Sequence, residues 1–236
     1  MVQEKTAISN FFSKLTFNEE FHKYYVNDTP LEYSASTLVK KFVKFVDYES
    51  IARKKDLTLG LPEGTHKIFW DNKALKATSS GDKAHFFGEI YAFHRNIVPT
   101  DPLENAIATF WRELPDYILP VFTELQMYHL NYMFGGTADI ILYNTLTKKF
   151  IIGDYKTNED LSKNFMGKTL LPPFEFLLEN DLNKYQIQFS IYQILFEQTG
   201  FEVEKRVLIW LRPDGTYEKY FTEDYTQLIK NYLIKC

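Results

Sequence analysis

Two strand-like runs separated by a polar stretch dominate the middle of the chain. Residues 135–142 and 150–157 are both rich in β-branched and aromatic side chains, and the polar stretch 143–149 between them has the composition of a connecting loop. Together they predict a β-hairpin, with residues 121–127 as a strand leading into it. Helical spacing takes over on either side. Phe86, Phe87, Ile90, Tyr91 and Phe93 predict a helix over 81–96, residues 103–119 a second, and Tyr185, Phe189, Tyr192, Leu195 and Phe196 a third that begins near Asp181. A strand over 206–211, a Pro213-Asp214-Gly215 turn, a strand around 217–221 and a terminal helix with Tyr225, Leu228, Ile229 and Leu233 complete the pattern.

The N-terminal third is less regular. Residues 7–15 suit a short helix, and Tyr24-Tyr25-Val26, a turn at 27–30 and Leu31-Glu32-Tyr33 suit a small hairpin. Ser34 or Ser36 can cap a helix in which Leu38, Val39, Phe42, Val43, Phe45 and Val46 recur at helical spacing. Arg53-Lys54-Lys55 reads as a solvated face, followed by a loop around Gly60, Pro62 and Gly64. Residues 158–176 show no regular period, and so long a loop inside a compact domain is functional or disordered.

With 236 residues and no linker-like stretch, the expectation is one domain, 1–236: an N-terminal embellishment over 1–80, a core over 81–212 and a C-terminal strand and helix over 213–236. No apolar run approaches the length that spans a bilayer and no signal-peptide core is present, which predicts a soluble, cytoplasmic protein without membrane contact. The single cysteine, Cys236, excludes a disulfide framework and any four-cysteine zinc or iron–sulfur site. A metal would be held by oxygen and imidazole. A net charge of −4 argues against a general nucleic-acid coat but is compatible with a local metal site and a local basic groove.

The hairpin carries charges where a core sheet should carry none. If it is symmetric about the Leu146/Thr147 junction, Asp139 lies opposite Asp154. At about 5 Å and an effective dielectric near 20, two carboxylates repel by roughly 3 kcal/mol. A bound cation reverses that sign. Lys156 lies two residues beyond Asp154 and so shares its face of the strand. Carboxylates suit Mg2+, and a lysine beside the cation can orient an attacking water and stabilise developing phosphate charge. The residues therefore suit phosphodiester hydrolysis.

Two helical pairs flank the hairpin. His85 and Glu89 share a face through i, i+4 spacing, with Gly88 beside them where it permits close approach of a partner. Gln188 and Tyr192 share a face in the same way. Either pair alone reads as a surface or core-edge contact. Glu124, on the strand before the hairpin, is expected to face solvent.

Taken in order, Gly81/His85/Glu89, Gly136-Thr137-Ala138-Asp139, Asp154-Tyr155-Lys156-Thr157 and Gln188-x-x-x-Tyr192 resemble the RecB-like, phage-exonuclease-type branch of the PD-(D/E)XK nuclease superfamily. The resemblance spans 81–212. It implies an α/β fold with a restriction-endonuclease-like α-β-β-β-α-β core, a central mixed sheet flanked by helices, and N-terminal hairpin and helical additions. It implies a Mg2+- or Mn2+-dependent DNA exonuclease of recombination, repair or DNA turnover, of the kind phages encode. By the same resemblance His85, Glu89, Asp139, Asp154 and the Tyr155 backbone carbonyl hold metal, Lys156 positions the water, and Gln188 and Tyr192 support the site.

The chain departs from part of that branch. It lacks the cysteines of members that clamp DNA through an iron–sulfur cluster, and it has no helicase module. Processivity would then come from a homo-oligomer or a recombination partner. No basic patch stands out; phosphate contacts would fall to scattered residues such as Lys163, Lys168, Lys184 and Arg212. Structure-specific endonuclease action, RNA as substrate, and a non-catalytic DNA-binding or assembly role on the same fold stay open on sequence.

Overall fold

A computed structural model describes residues 1–21 and 23–234; Cys236 lies outside them. The elements run α1 (Val2–Phe12), β1 (Leu15–Asn18), β2 (Lys23–Val26), β3 (Thr29–Pro30), β4 (Tyr33–Ser34), α2 (Ala35–Lys40), α3 (Tyr48–Leu59), α4 (Thr65–Tyr91), α5 (Pro102–Arg112), β5 (Ile118–His129), β6 (Phe134–Asn144), β7 (Lys149–Lys156), α6 (Asp181–Glu197), β8 (Val203–Leu211), β9 (Tyr217–Phe221) and α7 (Thr226–Ile234).

A six-stranded mixed sheet organises the molecule. Its β5–β6, β6–β7 and β8–β9 pairs are antiparallel, whereas β7–β8 and β4–β6 are parallel. The parallel β7–β8 step requires a crossover, and α6 supplies it. Ile140 pairs with Gly153 and Asn144 with Lys149, the symmetric register expected of the central hairpin, but the ladder ends at 140/153, so Asp139 and Asp154 lie one step beyond it and are not a paired position.

The sheet opens where that hairpin ends. Along one edge β5 follows β6 for its full length. On the other, β7 pairs with residues 140–144 and β4 with Phe134 and Gly135, which leaves the edge from Gly136 to Asp139 without a strand. Beyond Gly153 the strand β7 leaves β6 and continues against β8 as far as Lys156. The two aspartates therefore stand at a fork.

Helices cover both faces. On one, Ala84, Phe87 and Tyr91 of α4 and Ala106, Ile107, Phe110 and Trp111 of α5 pack on Ile140, Leu142, Ile151 and Tyr155. On the other, α2 and α6 pack on Ile141, Tyr143, Phe150 and Ile152, with Ile229 of α7 and Ile8 and Phe12 of α1 closing the rim. Gly88 makes the first face possible: a Cβ there would lie 2.5 Å from Tyr155 Cε2. Gly136 does the same on the second, where a Cβ would come within 3.0 Å of both Ala35 Cβ and Tyr192 Cε1.

Several N-terminal expectations are corrected. Ser34, one of the two expected caps, caps α2 in a reciprocal box with Thr37, but the helix ends at Lys40 rather than running on past Phe45, which is exposed. Arg53, Lys54 and Lys55 are exposed, as expected of a solvated face, and lie on α3, whereas the expected helix over 81–96 begins much earlier, at Thr65. The division expected at 80/81 thus falls in mid-helix. The N-terminal part also supplies β4 to the main sheet. The helix expected over 103–119 stops at Arg112, because residues from Ile118 onward enter β5. Asp56, buried where α3 meets α4, accepts from the Gly64 and His66 N–H groups and contacts His66 Nδ1 at 2.6 Å, which ties the start of α4 to α3. Among the described residues no helix is long and apolar enough to cross a membrane.

Candidate active site

The fork gathers charged groups from four elements. Asp139 on β6 and Asp154 on β7 are almost wholly buried and close enough for each carboxylate to shift the titration of the other. Asp139 Oδ2 also accepts from the Tyr155 backbone N–H at 2.8 Å and lies 3.0 Å from His85 Nδ1. Asp154 Oδ1 meets Lys156 Nζ at 2.5 Å. The Tyr155 side chain points to the other face of the sheet, where its hydroxyl accepts from Trp111 Nε1 at 2.8 Å and its ring lies edge-on to His85. Lys156 is held over the Tyr185 ring, 4.9 Å from its centre, and the Tyr185 hydroxyl donates to Asn158.

Glu124 joins this group, against the expectation that it faces solvent. Thr123 pairs with Ile140 and Leu125 with Ala138, so Glu124 stands across from Asp139. Its φ is +50°. A left-handed backbone at a non-glycine residue costs about 1–3 kcal/mol and persists where the surroundings enforce it, which happens often at functional sites. His85, Glu124 and Asp139 each offer one ligand atom, and these atoms all lie within 4.8 Å of one another.

Glu89 does not join them. It lies one turn beyond His85 on α4 but is exposed, and the third donor in the cluster is Glu124. Glu89 acts on the site only through its charge, which helps push Glu124 up. On α6, Gln188 Nε2 donates to the Tyr192 hydroxyl at 2.7 Å, and the buried Tyr192 ring packs against Gly136 at the unpaired edge. Sequence reasoning also missed Tyr185 as the platform under Lys156; its one signal was i, i+3 and i, i+7 spacing to Gln188 and Tyr192.

Burial and mutual charge pull the titrations apart. Asp139 is held below the usual carboxylate range: burial raises it, but the charge and hydrogen bond of His85, the neighbouring Asp154 carboxyl and the charge of Lys156 outweigh that. Asp154 is pushed well up by burial and by the charge of Asp139. For His85 burial works downward, yet Asp139 and Asp154 together push it up to about 9. Lys156 is likewise held above its ordinary value against burial by the two aspartates. Glu124 rises to about 7 through burial and then the charge of Asp139. The Tyr192 hydroxyl is pushed well up by burial and by both aspartates, which places it in their field.

Among the scattered cations expected to serve phosphates, Lys184 pairs with Asp181 and Arg212 with Glu218, while Lys168 lies over the Phe165 ring. No protein-family model matches the chain, and no curated protein matches it. A solved structure described as the crystal structure of SSO0001 is similar at 15% identity with a TM-score of 0.35, covering 100% of this chain and 87% of that one. A score at that level carries no argument about fold or activity.

Proposed function

We propose that the protein is a divalent-metal-dependent deoxyribonuclease of the PD-(D/E)XK type, acting as an exonuclease in DNA recombination, repair or turnover. One observation carries the reading: Asp139 and Asp154 are buried side by side, with Lys156 on one and His85 and Glu124 on the other. Burying two neighbouring carboxylates is costly unless a cation sits between or beside them. Two carboxylates and an imidazole within reach of one point suit Mn2+, and the oxygen donors suit Mg2+. The donor set therefore fits such an ion, with His85, Glu124 and Asp139 holding it and Asp154 beside them; the Tyr155 carbonyl is added by the family resemblance alone.

An ion held there supplies Lewis-acid stabilisation of phosphate charge and makes water a stronger acid. The chain's own groups do the rest. Asp154 lies against Lys156, Oδ1 to Nζ at 2.5 Å, so the pair is placed to orient an attacking water and take up its proton. Lys156 keeps its positive charge at neutral pH and can stabilise the charge that develops on the phosphate oxygens. Gln188 fixes the hydroxyl of the buried Tyr192, whose ring packs at Gly136 and so supports the site from behind. The test is incubation of end-labelled linear single-stranded DNA, duplex DNA and RNA with Mg2+ or Mn2+, alongside covalently closed circles. The reading expects loss of linear DNA only with metal, intact closed circles, and no cleavage by Lys156→Ala protein. Wild-type protein that leaves every linear DNA intact with both metals overturns it, and cut circles replace the exonuclease with an endonuclease.

A further inference from the structure

Residues 71–80, in the N-terminal half of α4, are all exposed. Exposed helix of that kind calls for an explanation, and its geometry relative to the site offers one. Lys73, Ala77, Gly81 and His85 are spaced by four and so lie along one face. From Lys73 to His85 that face runs about 18 Å at 1.5 Å per residue. It forms one wall of a groove of about 830 Å3 that also takes in Lys76 and ends at His85. The opposite wall is built from Thr157, Asn158 and Glu159, which follow Lys156 directly, and from Pro213 in the β8–β9 turn.

We propose that this groove is a track that delivers one nucleic-acid strand to the site. The inference rests on the nuclease reading and adds to it the class of substrate, single-stranded rather than duplex. Three observations favour it. The groove is continuous with the candidate site, since His85 belongs to both. Lys73 Nζ reaches across the groove to Glu159 Oε2 at 2.9 Å, an exposed pair that the phosphates of a strand can part. The carboxylates at its end are buried, Asp154 at 1% exposure, so a phosphodiester must bend in to meet them, which an unpaired strand does more easily than a stiff duplex.

The charges lining the groove balance, Lys73 and Lys76 against Asp82 and Glu159, in a chain whose net charge is −4. Within the groove the acids are Asp82 and Glu159; Glu159 is matched by Lys73, and Lys76 forms no ion pair among the described residues. Lys73 and Lys76 are thus placed to trade their present surroundings for phosphates.

The experiment is fluorescence anisotropy without divalent metal, so that nothing is cut, using a labelled oligothymidylate and a labelled duplex of the same length. The variants are Lys76→Glu and Ala77→Glu in the groove and Lys54→Glu on α3 outside it. All three positions are exposed, and circular dichroism checks folding. The expected result is tighter binding of the single strand than of the duplex, several-fold weaker single-strand binding by both groove variants, and no change with Lys54→Glu. Lys76→Ala should also lower the slope of log affinity against log salt by about 0.7, the loss of one phosphate contact on a single strand. Tighter duplex binding, or groove variants that bind and cleave as the wild type does, overturns the track while leaving the nuclease reading intact. Wild-type protein that shows the groove-dependent binding yet hydrolyses nothing with Mg2+ or Mn2+ supports the track and overturns the nuclease reading.

Discussion

Glu124 faces Asp139 across the β5–β6 pair, and its backbone adopts φ +50° to do so. Two carboxylates, Glu124 and Asp139, then lie with His85 around one point, and Asp154 stands beside Asp139, paired with Lys156. The strand accepts local strain to bring the third acid in, which is the expected sign of a group retained for binding rather than for stability.

Replacing Glu124 should therefore separate the two. Glu124→Gln removes a charge that repels Asp139, so the metal-free protein should hold or gain thermal stability. Its affinity for Mn2+ should fall by at least tenfold. Glu89→Gln, at an exposed position outside the donor cluster, should change that affinity little. Calorimetric titration of both variants with Mn2+ checks the contrast, and equal losses in the two would restore Glu89 as a ligand.

His85 gives a pH dependence with a definite sign. Its folded value, about 9, lies above the ordinary 6.5, so the stability it contributes to the metal-free protein is fully present below 6.5 and lost as pH rises through 9. The Tm gap between wild type and His85→Gln should shrink from pH 6 to pH 10. A metal ligand must be a neutral imidazole, so metal binding has to displace that proton. Apparent Mn2+ affinity should rise between pH 7 and 9, and titrations in buffers of different ionisation enthalpy should show proton release.

Gly88→Ala should destabilise although it improves helix propensity. The gain in an exposed helix is about 1 kcal/mol. Here the new methyl would meet Tyr155 Cε2 at 2.5 Å and Cζ at 2.9 Å, and Tyr155 is held from behind by Trp111. Overpacking of that kind costs about 1–3 kcal/mol. Thermal melts should show a lower Tm, and a variant as stable as the wild type would mean that α4 can move off the sheet freely.

The charged hairpin was legible in the sequence because a two-residue strand period and a symmetric loop fix which residues oppose each other. Asp139 and Asp154 stand one step beyond the observed 140/153 pair, and Lys156 follows from its separation of two. His85 was legible as a candidate through its helix position, though what it touches depends on α4 lying against Tyr155, which only Gly88 hinted at. Glu124 was not legible: strand alternation assigns a side by counting, and a left-handed residue breaks the count. The first half of α4 escaped for a different reason. With residues 71–80 exposed on every side there is no apolar stripe for a periodicity to show. In α3 the basic run covered an apolar face reduced to Ala52 and the buried Asp56.

The most direct test of the central claim is a paired measurement on Asp139→Asn protein: Mn2+ binding by calorimetry and cleavage of end-labelled linear DNA on the same samples. Asp139 is the group that His85, Asp154 and the Tyr155 N–H all address. The account expects the wild type to bind the metal and cut the DNA, and Asp139→Asn, folded by circular dichroism, to do neither. Asp139→Asn protein that binds Mn2+ and degrades DNA at the wild-type rate would contradict it.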